Sequence, residues 1–231
     1  MLRKSPVSPV IVTSLAGKLT TALAIAPFSE RGPVLLVSAA VLLSLVDDGT
    51  LTLDDPVGQY LPEWNQGQRA QITLRMCFAH TSGLPANDAA ISDQSLTLRQ
   101  AAAQLASVPL DNTPGSSFAY GNISMHVAGA ACEVASGQNW SALFQQRIAI
   151  PVGMTSTDFG DPAVANQNPL IAGGARSNRE DFARFMSMLR ANGSAGGVQV
   201  LSPASVDVML QEQTAGTAMV RNVHPDQVPY G

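Results

Sequence analysis

Charge, lysine and cysteine are all scarce in this chain. Only 13% of its 231 residues are charged, 13 Lys and Arg against 17 Asp and Glu, for a net charge of -4. No basic cluster offsets that balance, which excludes a phosphate-tracking nucleic-acid surface. Lysine occurs only as Lys4 and Lys18. The two cysteines, Cys77 and Cys132, each sit inside an apolar helical pattern, which fits buried free thiols better than a disulfide. Two cysteines and three scattered histidines make no metal-ligand spacing, so neither a metal nor a cofactor is expected. No apolar run approaches the ~20 residues that a bilayer span needs, so no membrane span is expected. Internal repeats, pooled proline or glycine and low-complexity segments are missing too. So are the Gly-x-Ser-x-Gly elbow, the His-Glu-x-x-His pair, the phosphate-binding glycine loop and the dinucleotide fingerprint.

What is present is apolar: 45% of residues are hydrophobic, and Val34 to Val46 form an uncharged stretch closed by Asp47-Asp48-Gly49. That stretch reads as a buried core helix over Val34–Asp48, with Gly49 as its left-handed stop. Ahead of it, Arg3 and Lys4 precede "LTTALAIAPF", whose Ala22-Leu23-Ala24 triplet gives a weak signal-peptide character that Lys18 and two early prolines oppose. A cytoplasmic and a periplasmic location both stay open.

Further along, "LTLDDPVGQYLPEW" reads as a loop broken at Asp55-Pro56 and Leu61-Pro62. Thr73 caps a short helix over 73–80 stopped at Ser82-Gly83, and Thr97 caps an amphipathic helix carrying Leu98, Ala102 and Leu105 on one face. A small-residue helix runs from Asn122 to Gly137, and another from Trp140 to about Ile148. "IAGGARS", 171–177, suggests a strand ending in a turn. Ser177 with Glu180 suggests a capping box opening the helix "REDFARFMSMLRANG". Ser202-Pro203 opens a last helix to about Glu212.

Four segments carry chemistry when taken together: "ITLRMCFAHTSGLP" (72–85), "PGSSFAYGN" (114–122), "PVGMTST" (151–157) and "AGGARSNREDFARFM" (172–186). Together with "LVDDGTLTLDDPVGQYLPEW", their order and spacing resemble the penicillin-recognising serine hydrolases, meaning class C-type β-lactamases, related carboxylesterases and D-alanyl-D-alanine peptidases. The resemblance covers about residues 34 to 215. It implies an α/β (α+β), β-lactamase/transpeptidase-like fold, helix-rich here, with much of the antiparallel sheet missing. The chain then divides into a non-matching segment, 1–33, and a partial β-lactamase-like domain, 34–231.

In the family, the helix at the centre begins with Ser-x-x-Lys; the serine attacks a carbonyl and the lysine one turn later moves its proton. A Tyr-x-Asn motif follows, here Tyr120-Gly121-Asn122. The resemblance implies Tyr120 as general base, held partly ionised by neighbouring lysine, and Asn122 as the amide that orients substrate. The resemblance also implies that His80 and Ser82 belong to a structural turn beside the site. Counting back from Gly49, however, Gly32 stands at the serine position and Leu35 at the lysine position. Ser29 and Ser38 lie nearby, but neither has a lysine three residues on. The family's third motif, Lys-x-Gly or His-x-Gly, is not found before "VPYG".

Two functions follow. One is a serine hydrolase cleaving a small-molecule ester or β-lactam amide through an acyl-enzyme. The other is a truncated or catalytically inactive member that retains only scaffold or ligand binding. Uncovered sheet edges would favour self-association.

Overall fold

A computed structural model describes residues 32–164, 167–214 and 217–220. The signal-like residues 1–31, with Lys4, Lys18 and Ser29, lie outside the described residues, as does "VPYG". Helix α1 spans Gly32–Asp47 and ends with Gly49 at φ 77°. Val37, Ala40, Val41, Leu42 and Leu45 of α1 are all nearly inaccessible to water. Each fully buried aliphatic side chain stabilises the fold by about 1.5–3 kcal/mol before the entropy of ordering it is subtracted. That total explains why so apolar a run occurs in one segment.

The expected loop after α1 contains 3-10 turns at Val57–Gln59, Pro62–Trp64 and Gly67–Gln71. Trp64 is buried, and its indole N–H donates to the carbonyl of Ala102 at 3.0 Å. Helix α2, Leu74–Phe78, is capped by Thr73, whose hydroxyl accepts the Met76 N–H. Helix α3, Leu98–Leu105, carries a full capping box between Thr97 and Gln100. After the short strand β1, Ser117–Phe118, helix α4 spans Asn122–Ser136 and stops at Gly137 with φ 69°. Cys77 and Cys132 are buried free thiols on α2 and α4.

The next helix differs from its expected course to about Ile148. Helix α5, Trp140–Phe144, widens into a π-helical turn, Gln145–Ala149, and the path continues as α6, Ile150–Val152. Pro151 is the physical cause: its ring crowds the carbonyl four residues earlier, and widening the turn accommodates it. Arg147 of this turn pairs with Asp48 at 2.6 Å, tying it to the end of α1.

No strand forms at 171–177 beyond an isolated bridge between Asp158 and Arg176. The Ile171 carbonyl accepts the Ser38 hydroxyl at 2.7 Å, and the Leu170 carbonyl accepts the N–H groups of Gly173 and Gly174. These side-chain and turn bonds take the place of a strand ladder. Ile171 also lies so near α4 that a Cβ on Gly129 would meet its Cγ1 at 2.7 Å. Helix α7, Arg179–Arg190, is capped by Asn178 rather than by the expected Ser177–Glu180 box. Ser177 is engaged elsewhere, its hydroxyl 2.8 Å from that of Thr157.

A two-stranded antiparallel ribbon, β2 (Ser194–Ala195) and β3 (Val198–Gln199), precedes α8, Pro203–Leu210. Ser202 caps α8 and Pro203 occupies its first turn as expected, although the helix ends two residues before Glu212. Strand β4, Ala218–Met219, runs parallel to β1. No helix among the described residues is long and apolar enough to cross a membrane.

Asp47 joins the end of α1 to the start of α8. Its carboxylate accepts the Ser202 N–H and the Ser205 hydroxyl, both at 2.7 Å. The variant Asp47→Ala is expected to lower stability by about 1–2 kcal/mol through loss of these two bonds, read as an earlier urea midpoint.

Glu133 supplies a pH dependence. Its carboxylate accepts the Trp140 N–H at 2.7 Å, and burial raises its pKa to about 7. A raised carboxyl pKa contributes stability fully below the unfolded value near 4.3 and loses it as pH rises through the folded value. Stability attributable to Glu133 should therefore decline between about pH 4.3 and 7, with a slope up to about 1.4 kcal/mol per pH unit. Thermal unfolding of Glu133→Gln across that window should show a flatter profile than the unmodified chain.

Candidate active site and its relatives

Three elements converge beside the first turns of α1. Leu35, Leu36, Ala39 and Leu42 of α1, Phe78 at the end of α2 and His80 just after it, and Phe118 and Tyr120 around β1 line one cavity of about 210 Å³. The end of α8, Val208 to Leu210, forms another wall. Leu35, at the expected lysine position, thus shares a cavity with Tyr120. Gly32 is the first residue of α1, one turn ahead of Leu35.

Asn122 is directed elsewhere. It opens α4, its N–H donates to the Ala86 carbonyl at 2.6 Å, and its side-chain Nδ2 donates to Asn87 Oδ1 at 2.6 Å. It does not line the cavity. Gly121 permits the close approach of this turn to Ala86, since a Cβ there would meet Ala86 Cα at 2.6 Å.

His80, and not Ser82-Gly83, ends the run after α2. It adopts φ 56°, a left-handed conformation that costs a non-glycine residue free energy and which histidine tolerates better than most. The strain positions its ring 4.6 Å from that of Tyr120 and 5.9 Å, edge-on, from that of Phe118. Burial pushes the His80 pKa down to about 4, and Nδ1 accepts the Gly121 N–H at 3.5 Å. At neutral pH the ring is uncharged and serves as packing against Tyr120. Ser82 is buried in the same turn, its hydroxyl accepting the Leu84 N–H at 3.4 Å.

Of the two alternative serines, Ser29 lies outside the described residues and Ser38 does not change this picture. Ser38 is buried, faces Ile171, and has Val41 one turn later. His126 is buried on α4 with Nε2 2.8 Å from Asn168 Oδ1, and burial lowers its pKa to about 4. His224 lies outside the described residues. No group of three or more His, Cys, Asp or Glu that could hold a metal occurs among the described residues.

The sequence reading passed over Arg75. It lies at the cavity mouth, with Nε and Nη2 on the two oxygens of Asp54 at 2.7 and 3.1 Å. Nothing in the local pattern around "TLRMC" marks it, because its partner is 21 residues earlier and its position depends on the α2 turn.

An apolar first helix, a Tyr-Gly-Asn turn beside it and a helical layer around them define a β-lactamase/transpeptidase-like fold. The chain belongs to the beta-lactamase family, whose model matches residues 35–231. It is thus a member of a β-lactamase-like hydrolase family. A solved structure from Bacteroides dorei DSM 17855 is similar at TM-score 0.73 and 34% identity, covering 81% of this chain and 57% of that one. Protein Rv1367c of Mycobacterium tuberculosis (strain ATCC 25618 / H37Rv) is 28% identical over 225 residues, 75% of this chain and 56% of the relative. Esterase EstB of Burkholderia gladioli is 33% identical over 141 residues, 53% of this chain and 36% of the esterase. The chain therefore spans little more than half the length of the first of these curated relatives, and about a third of the second.

Proposed function

We propose that this chain binds a small ester or β-lactam in the cavity beside Tyr120 and holds it without forming an acyl-enzyme. The observation that carries this reading is the placement of Leu35, an aliphatic side chain in the cavity wall where the family resemblance expects a lysine. An acyl-enzyme needs a serine oxygen to attack the carbonyl, a neighbouring group to accept its proton, and the return of that proton to the departing alcohol or amine. Gly32 offers no oxygen and Leu35 no basic nitrogen.

The family and the name of Esterase EstB favour the competing hydrolase reading. A chromogenic ester and a chromogenic cephalosporin separate the two. Turnover should remain at the buffer rate, because loss of a nucleophile leaves only the residual effect of binding and electrostatics, several orders of magnitude below an intact site. Turnover that co-purifies with the protein and disappears in Tyr120→Phe would establish the hydrolase reading instead.

A further inference from the structure

The cavity's charge pattern points to what it selects. Its inner wall, from Leu35, Leu36, Ala39, Leu42 and Phe78, offers no hydrogen-bonding side chain. His80 is uncharged at neutral pH because burial holds its pKa at about 4. Arg75 is the one cation on the lining among the described residues, and Asp54 grips it through both oxygens. Its remaining polar contact is Gln213 Oε1 at 3.3 Å. Asp54 therefore offsets the positive charge at the mouth, and the other polar side chains there, Gln211, Gln213 and Thr214, are neutral.

A carboxylate entering this site would exchange water for hydrocarbon with no free cation among the described lining residues to meet it, which is among the costliest transfers available to a ligand. A carbonyl or ester oxygen needs only a hydrogen bond at the rim. The volume of about 210 Å³ is also below the roughly 300–1,000 Å³ of sites for drug-sized molecules. We infer that the cavity selects a neutral, largely apolar molecule of fragment size, such as a small ester, against the corresponding carboxylate. This rests on the reading that the cavity is a ligand site, and it narrows that reading from ester or β-lactam to the uncharged class.

The test uses a matched pair, methyl phenylacetate and phenylacetate, on the full chain at pH 7 and low salt, with dissociation constants from ligand-observed NMR. The ester should bind with a constant on the order of 1 mM, as expected for so small a molecule, and the acid at least about tenfold more weakly. Asp54→Asn, at an exposed position, leaves Arg75 uncompensated. It should strengthen binding of the acid by about threefold or more while leaving the ester within about twofold, an effect that added salt suppresses. Ala39→Phe fills the wall one turn beyond Leu35 and should abolish ester binding with the circular dichroism spectrum retained. If that variant fails to fold, the Asp54→Asn comparison alone decides. Equal binding of ester and acid, or tighter binding of the acid, overturns the selectivity while leaving a ligand site. An Asp54→Asn profile identical to the unmodified chain, or ester binding that survives in folded Ala39→Phe, overturns it as well. Binding of neither compound removes the ligand site and the selectivity together.

Discussion

A chain carrying Gly32→Ser together with Leu35→Lys is expected to acquire covalent labelling by a fluorophosphonate probe at the introduced serine. The two positions open α1 one helical turn apart, so the new hydroxyl and amine would share a face. Leu35 already lines the cavity, so a lysine there would be partly desolvated and its pKa depressed toward that of a usable base. A positioned base contributes roughly 10²–10⁴ in rate, and labelling of the double variant should exceed that of Gly32→Ser alone by about that factor. Leu35→Lys alone should remain unlabelled. A double variant no more reactive than Gly32→Ser would show that Leu35 does not stand where the proton-moving group must act.

The second large effect concerns the turn that holds His80 against Tyr120. Gly83 adopts φ 78°, and a Cβ there would lie 2.1 Å from the Asn112 carbonyl oxygen. That contact cannot be relieved by a side-chain rotation, because the Gly83 carbonyl also accepts the N–H groups of Asp111 and Asn112 at 2.9 and 3.2 Å. Gly83→Ala should therefore cost roughly 3 kcal/mol or more, a large share of a domain's stability. Gly49 has nearly the same φ, 77°, with nothing within 4 Å of its would-be Cβ. Gly49→Ala isolates the conformational term and should cost about 1 kcal/mol. Denaturant unfolding of the pair checks both numbers. Similar losses at the two sites would mean that the Asn112 approach contributes nothing.

The contrast between those glycines parallels what could be read from the chain beforehand. Thr73, Thr97 and Ser202 cap their helices as expected because each hydroxyl finds its N–H three residues on, within one local turn. Gly49 and Gly137 end helices for an equally local reason. The failures involve partners distant in sequence. The 171–177 segment lost its expected strand to a bond from Ser38, 133 residues away. Ser177 lost its expected capping role to Thr157 and ceded it to Asn178. Helical periodicity also carries through a π-helical turn without a break in pattern, so only Pro151 marked it.

The residues named for the site occupy different surroundings. Tyr120 and Leu35 were named from motif order, and the structure brings both to one cavity. Asn122 was named with them, yet its amide is turned to Asn87. Arg75 and Phe118 went unremarked because lining a cavity is a property of packing, which no short stretch encodes. His80 was expected as a turn residue. Its left-handed backbone and its ring against Tyr120 give that role a geometry, since the strain is offset by aromatic packing on both sides.

The central claim is that a β-lactamase-family scaffold here presents a ligand cavity without the means to be acylated. Intact-mass analysis of the unmodified chain after prolonged incubation with benzylpenicillin, and separately with a fluorophosphonate, tests it most directly. The account predicts an unchanged mass in both incubations, with Ser38 shielded by burial and bonded to Ile171. A stoichiometric adduct mapped by peptide sequencing to Ser38, Ser29 or any other serine would contradict it.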